Sequence, residues 1–201
     1  SKADQIADRL STPTPRVPAI RDEDLLSTGC TTLNVAISGR PTGAVPKGSM
    51  VSWVGASGSA KTWFSFCLFA EANINKNFDG YTFIHDNAEN GALMDVEQFF
   101  GKGLIDRLRP PRKGKQGSES AEEFYLNVEA NVKKGPCIYV LDSMDAIRPE
   151  ADLENNEAKL HFHETGKGEA DIKGSMGADK AKVNSTHLGW ICNNVLRTNG
   201  S

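Results

Sequence analysis

Residues 49–64 read Ser-Met-Val-Ser-Trp-Val-Gly-Ala-Ser-Gly-Ser-Ala-Lys-Thr-Trp-Phe, and no other run constrains the fold as tightly. Met50, Val51, Trp53 and Val54 form a short apolar run that predicts a strand. Gly55, Ser57, Gly58, Ser59 and Ala60 are all small. Lys61 and Thr62 then open an apolar, helix-compatible run that reaches about Asn75. Strand, tight loop and helix come close to the phosphate-binding pattern of Gly, four residues, Gly, Lys, and Ser or Thr.

The residue types suit that chemistry. A polyphosphate is held by backbone N–H groups, and small side chains let them approach closely. The first turn of a helix has unpaired N–H donors and a partial positive charge. Lys61 adds a point charge for the outer phosphates, and the Thr62 hydroxyl can complete a Mg²⁺ shell. Ala60 departs from the pattern, because it stands where the second Gly belongs. With αR backbone at the helix start its methyl is tolerated, and that is the conformation expected here. The phosphate-site candidates are therefore Gly55, Ser57, Gly58, Ser59, Ala60, Lys61 and Thr62.

Composition narrows the class. The chain has 201 residues, enough for one domain with a proper core. A net charge of −3 argues against a uniformly basic nucleic-acid binder, so any such contact must be local. No stretch approaches the roughly 20 apolar residues of a membrane span, and no signal-peptide pattern opens the chain. The four cysteines are far apart, without a Cys-x-x-Cys pair, and read as buried thiols in a reducing compartment.

Along the chain, residues 1–24 read as an arm and linker, with Ile6 and Leu10 on a short helix and Pro13, Pro15 and Pro18 behind it. The arm either frays or docks on a neighbouring subunit. Residues 25–201 read as the core. Tyr81–Asp86 predicts a second strand, closed by the polar segment Asp86-Asn87-Ala88-Glu89-Asn90-Gly91. Leu93, Val96, Phe99, Phe100 and Leu104 give residues 92–108 a helical period. Arg107, Arg109, Arg112, Lys113 and Lys115 then place five positive charges in nine residues broken by Pro and Gly, a basic loop that either binds phosphate backbones or stays solvated.

Ser120 and Glu123 have capping-box spacing and start a helix that ends near Lys133-Lys134-Gly135. Cys137–Leu141 is a continuous apolar run closed by Asp142, as expected of a central parallel strand. An acid at that end shares a rim with the phosphate loop, because ligands gather at the carboxyl ends of parallel strands. Asp142 and Thr62 are thus the candidate metal residues. His161 and His163 have no evident third ligand, which argues against a metal site there. Residues 149–186 are polar and rich in Gly, Glu and Lys, and Leu188–Asn194 predicts a further strand ending in amides.

These parts, in this order, resemble the RecA-type recombinase ATPases: Ser27-Thr28-Gly29, Leu33 and a small-residue turn, Lys47-Gly48, the phosphate loop, Asn87-Ala88-Glu89, Asp142-Ser143, and Asn193-Asn194. The likeness spans about residues 25–198 and is nearest to phage-encoded members, some of which also relax the second Gly of the loop. It implies an α/β fold: a RecA-like P-loop NTPase core, mainly parallel sheet flanked by helices, lacking its C-terminal strands. It implies ATP and Mg²⁺ as ligands, Lys61 and Glu89 as catalytic residues with Glu89 polarising the attacking water, and Asp86 as the alternative one residue-shift away. Asn194 would sense the γ-phosphate. Single-stranded DNA would lie on the 149–186 interval, with Lys167, Lys173, Lys180 and Lys182 as candidate contacts. The partners would be that DNA and further copies of the chain, in a filament or ring, in the cytoplasm of a bacterium or phage-infected host and not at a membrane. Asn at 87 and the shorter second amide depart from the family pattern. Two other classes stay open: a non-catalytic nucleotide-gated mediator, and a small-molecule phosphotransferase. A ring helicase is a variant of the first reading.

Overall fold

The computed structural model describes residues 20–91 and 94–166. The arm at residues 1–19, Lys167, Lys173, Lys180, Lys182 and the predicted strand with Asn194 lie outside the described residues.

The described chain is mixed α/β. β1 (Leu25–Leu26) pairs antiparallel with β2 (Val45–Pro46). Between them lies α1 (Thr31–Ser38), stopped by Gly39 at φ 74°. α2 (Lys61–Ile74) follows the small-residue loop. β3 (Thr82–Asp86), β4 (Leu108–Arg109) and β5 (Cys137–Leu141) form a parallel sheet in the order β4-β3-β5. Asp86 stands opposite Leu141, so β3 and β5 end on the same rim. α3 (Val96–Phe100) and α4 (Lys102–Arg107) carry the chain from β3 to β4, and α5 (Ala121–Val132) carries it to β5. Parallel neighbours need such crossovers. α6 (Glu150–Thr165) follows, within the polar interval.

Strand alternation divides the sheet between two cores. Phe83 packs with Phe66, Leu68, Phe69 and Ala72 of α2, and Ile138 and Val140 lie against that cluster. Tyr139 and Leu141 face the opposite cluster of Ala121, Phe124, Tyr125, Val128 and Ile147. Helices therefore cover both faces. Each fully buried Phe contributes about 1.5–3 kcal/mol of transfer free energy. α5 starts where its capping spacing predicts. Ser120 Oγ accepts from the Glu123 N–H at 3.0 Å. The Glu123 carboxylate accepts from the Glu119 N–H at 2.9 Å, one residue before the position a capping box uses.

Four expectations need correction. Met50–Val54 is not a strand among the described residues, and Val54 is 94% exposed. An apolar run gains strand order from a paired neighbour, and no described residue supplies one. The helix expected over 92–108 is two short helices, broken at Gly101, whose φ is 83°. The basic stretch is not a free loop. Arg107 closes α4 and Leu108–Arg109 is a strand paired with Phe83 and Ile84. β5 lies at the edge of the described sheet, and its five residues are only half-buried, where a central strand was expected.

The Arg107 side chain explains why the basic stretch is ordered. Its guanidinium donates to Asn73 Oδ1 and to the carbonyls of Phe78, Asp79 and Tyr81, and it lies 4.0 Å from the Phe83 ring centroid. Arg112 pairs with Glu123 and Lys115 with Glu119. Arg107 is thus committed to the fold, whereas Arg109, Arg112 and Lys113 stay at the surface.

Candidate functional site

The site is built where α2 begins and where β3 and β5 end. The loop from Gly55 to Ala60 is exposed throughout. At Gly55 a Cβ would lie 2.6 Å from Ser59 Oγ, so a larger residue there displaces the Ser59 hydroxyl. Gly58 has φ +77°, a conformation that glycine adopts without steric cost. α2 has no side-chain cap, so its first-turn N–H donors are offered to whatever occupies the loop.

Ala60 is not αR. Its φ is 63° and ψ 25°, in the left-handed region. The reason is local: the turn closed by Ser59 N–H on the Ala56 carbonyl must bend sharply to let Phe64 N–H reach the Ala60 carbonyl and start the helix. A methyl in that region costs roughly 1–2 kcal/mol. Ala60→Gly is therefore expected to raise stability by about 1 kcal/mol, less the entropy Gly adds to the unfolded chain. Thermal or denaturant unfolding of the two proteins checks this.

Lys61 folds back over the loop. Its Nζ donates to the Gly55 carbonyl at 2.9 Å and the Ala56 carbonyl at 3.0 Å. Thr62 Oγ1 donates to Asp142 Oδ2 at 2.6 Å. Asp142 is buried, 8% exposed. A hydroxyl and a carboxylate at one rim are oxygen ligands of the kind a hard divalent cation takes.

Glu89 belongs to the same group. Its N–H donates to the Asp142 carbonyl at 3.0 Å, and Ser143 Oγ donates to its Oε1 at 2.6 Å. The Asp142–Ser143 peptide is cis. Glu89 is exposed, so its carboxylate can meet a ligand over the rim.

Asp86, the alternative to Glu89, is fully buried on the other face. It accepts from Ser118 N–H, Ser118 Oγ and Tyr139 OH, each at 2.6 Å. Burial, with Asp86 adding to it, pushes the Tyr139 phenol far above its usual range, so Tyr139 stays a donor. Asp86 ties β3 to β5 and to the 118 turn, and it has no reach to the loop. Gly117 lets that turn close, since a Cβ there would lie 2.5 Å from the Asn87 carbonyl oxygen. Asp86→Asn turns one acceptor into a donor facing donors, and about 2 kcal/mol of stability is expected to be lost. The midpoint of chemical unfolding reads it.

The lead-in segment has a structural part to play. Asn34 Oδ1 accepts from Thr28 N–H and Thr28 Oγ1, while its Nδ2 donates to Ser27 Oγ and the Pro41 carbonyl. Ser27-Thr28 is thereby fastened to α1.

Sequence reasoning missed two features. Trp63, one residue past Thr62, is 38% exposed and meets Phe99, 56% exposed, edge-on at 5.2 Å between centroids. His85, on β3 beneath the rim, has Nε2 3.9 Å from Asp142 Oδ2. An aromatic after the loop is readable in the sequence, whereas His85 has no signal there beyond its place near the strand end. Neither His161 nor His163 belongs to a metal-ligating group of three among the described residues, and no described helix is long and apolar enough to cross a membrane.

Against known proteins, no family model matches the chain and no curated protein matches it.

Proposed function

We propose that the chain is a RecA-like, ATP-dependent DNA recombination or repair ATPase that binds single-stranded DNA as an oligomer. The observation that carries this reading is the 2.6 Å hydrogen bond from Thr62, at the head of α2, to Asp142, at the end of β5, across 80 residues of sequence. A loop of small residues before a helix is common. The same loop facing an acid at the rim of a parallel sheet is the arrangement of a nucleotide hydrolase.

The residues fit Mg²⁺ and a triphosphate. Thr62 and Asp142 would hold the cation, which when bound neutralises charge on the transferred phosphoryl group. Lys61 and the open N–H donors of α2 would hold the phosphates. Glu89, anchored by Ser143, would accept a hydrogen bond from a water and align it for in-line attack. Trp63, partly exposed one residue past Thr62, offers an aromatic ring beside the loop for the base. Asn194 keeps the γ-phosphate role and Lys167, Lys173, Lys180 and Lys182 the DNA role that the resemblance implies, all outside the described residues.

Steady-state ATP turnover with and without single-stranded DNA tests the reading. Mg²⁺-dependent hydrolysis that rises with DNA is the expected result. Absence of nucleotide binding would overturn it. Tight ATP binding without turnover would favour the second reading, a nucleotide-gated mediator. The strained Ala60 methyl on the loop is the observation on that side. Sedimentation with ATP separates filament from ring.

A further inference from the structure

His85 Nε2 is shut off from solvent and has no hydrogen-bond partner among the described residues. The ring is held by Phe66, with centroids 4.9 Å apart. The His85 and Asp142 side chains are 12% and 11% exposed. A buried donor without a partner costs free energy, and water does not reach this one. Asp142 Oδ2 lies 3.9 Å from it, about an ångström too far for a hydrogen bond. That oxygen already accepts from Thr62 Oγ1.

We infer that His85 is a positioning residue for Asp142: on cation capture its Nε2–H closes this gap and becomes the second donor to Oδ2. With Thr62 and His85 both on Oδ2, the carboxylate is pinned in rotation and Oδ1 is left for the cation. The inference rests on the proposed reading of Thr62 and Asp142 as the metal residues. The Nε2–H tautomer is the one required. Groups that orient a ligating side chain from behind tune metal affinity tenfold or more.

The test uses the full chain, Mn²⁺ as a spectroscopic substitute for Mg²⁺, and a non-hydrolysable ATP analogue. Electron paramagnetic resonance measures Mn²⁺ affinity, and thermal unfolding is followed without metal. His85→Phe keeps the ring against Phe66 and removes the donor. It is expected to weaken Mn²⁺ roughly 10-fold while leaving the metal-free melting temperature unchanged or higher. His85→Gln, whose amide nitrogen reaches about as far as Nε2, is expected to return Mn²⁺ affinity to within about threefold of the parent. A purely structural His85 gives the reverse pattern, a lower melting temperature in the Phe variant with Mn²⁺ affinity unchanged, and that overturns the inference. If the parent itself captures no Mn²⁺ with the analogue, the metal-site reading falls first and this one with it. Should the Phe variant not fold, the parent decides by proton NMR. The His85 Nε2–H resonance is expected to move downfield when Mg²⁺ and the analogue are added, and an unmoved resonance overturns the inference.

Discussion

Lys61→Ala is expected to weaken ATP-analogue binding by about 10²–10³-fold, with little change in the stability of the nucleotide-free protein. Lys61 is the one cation within the loop sequence 55–62. Hydrogen bonds to charged groups are worth about 1.5–3 kcal/mol each. Losing two phosphate contacts at the lower end of that range removes roughly 3–4 kcal/mol, which is two to three decades of affinity. The same side chain now rests on the carbonyls of Gly55 and Ala56. These contacts are exposed, so trading them for water costs the free protein little. A triphosphate offers the ammonium a charged partner in their place. Lys61→Arg is not a conservative rescue, because a planar fork replaces a compact point charge. Titration calorimetry with the analogue and Mg²⁺ measures the effect. Equal affinity in parent and Ala variant would mean that the loop does not carry the phosphates.

Local pattern made much of this molecule readable. α2, α5, β3 and β5 each carry their own periodicity and end signals within a dozen residues. The placement of Asp142 opposite Thr62 followed from one rule about the carboxyl rim of parallel strands. What escaped has non-local causes. Leu93, Val96, Phe99, Phe100 and Leu104 keep a helical period through residue 101, so the sequence reads as one helix where the backbone turns at Gly101. Arg107 looks like the first charge of a solvated loop because its partners lie 26–34 residues back in the chain. Asp86 and Glu89 are interchangeable acids on paper. The pleat of β3 sends Asp86 to Ser118 and Tyr139, while Glu89 lies past the strand in the turn at the rim. Ala60 reads as αR because it adjoins a helix, whereas its backbone, at φ 63°, is set by loop closure.

Glu89→Gln is the sharper experiment on chemistry, since it changes charge and almost nothing else. The amide has the size of the carboxylate and keeps an oxygen for Ser143 Oγ, which now donates to Glu89 Oε1 at 2.6 Å. The Glu89 N–H bond to the Asp142 carbonyl is backbone and survives. Fold and nucleotide affinity are therefore expected to stay within about threefold of the parent, while turnover falls by about 10²-fold or more, the range for loss of a positioned proton acceptor. Single-turnover hydrolysis, run beside calorimetric binding, separates the two quantities. A variant that binds and hydrolyses like the parent would strip Glu89 of the water. The role would not then pass to Asp86, as the sequence alone allowed, because that carboxylate is fully buried and already accepts three hydrogen bonds on the opposite face of the sheet. With Asp142 engaged by Thr62, no described carboxylate of β3 or β5 would be left to align the attacking water. Hydrolysis would then draw its acceptor from another part of the chain or from a neighbouring copy, and only the second makes turnover depend steeply on protein concentration.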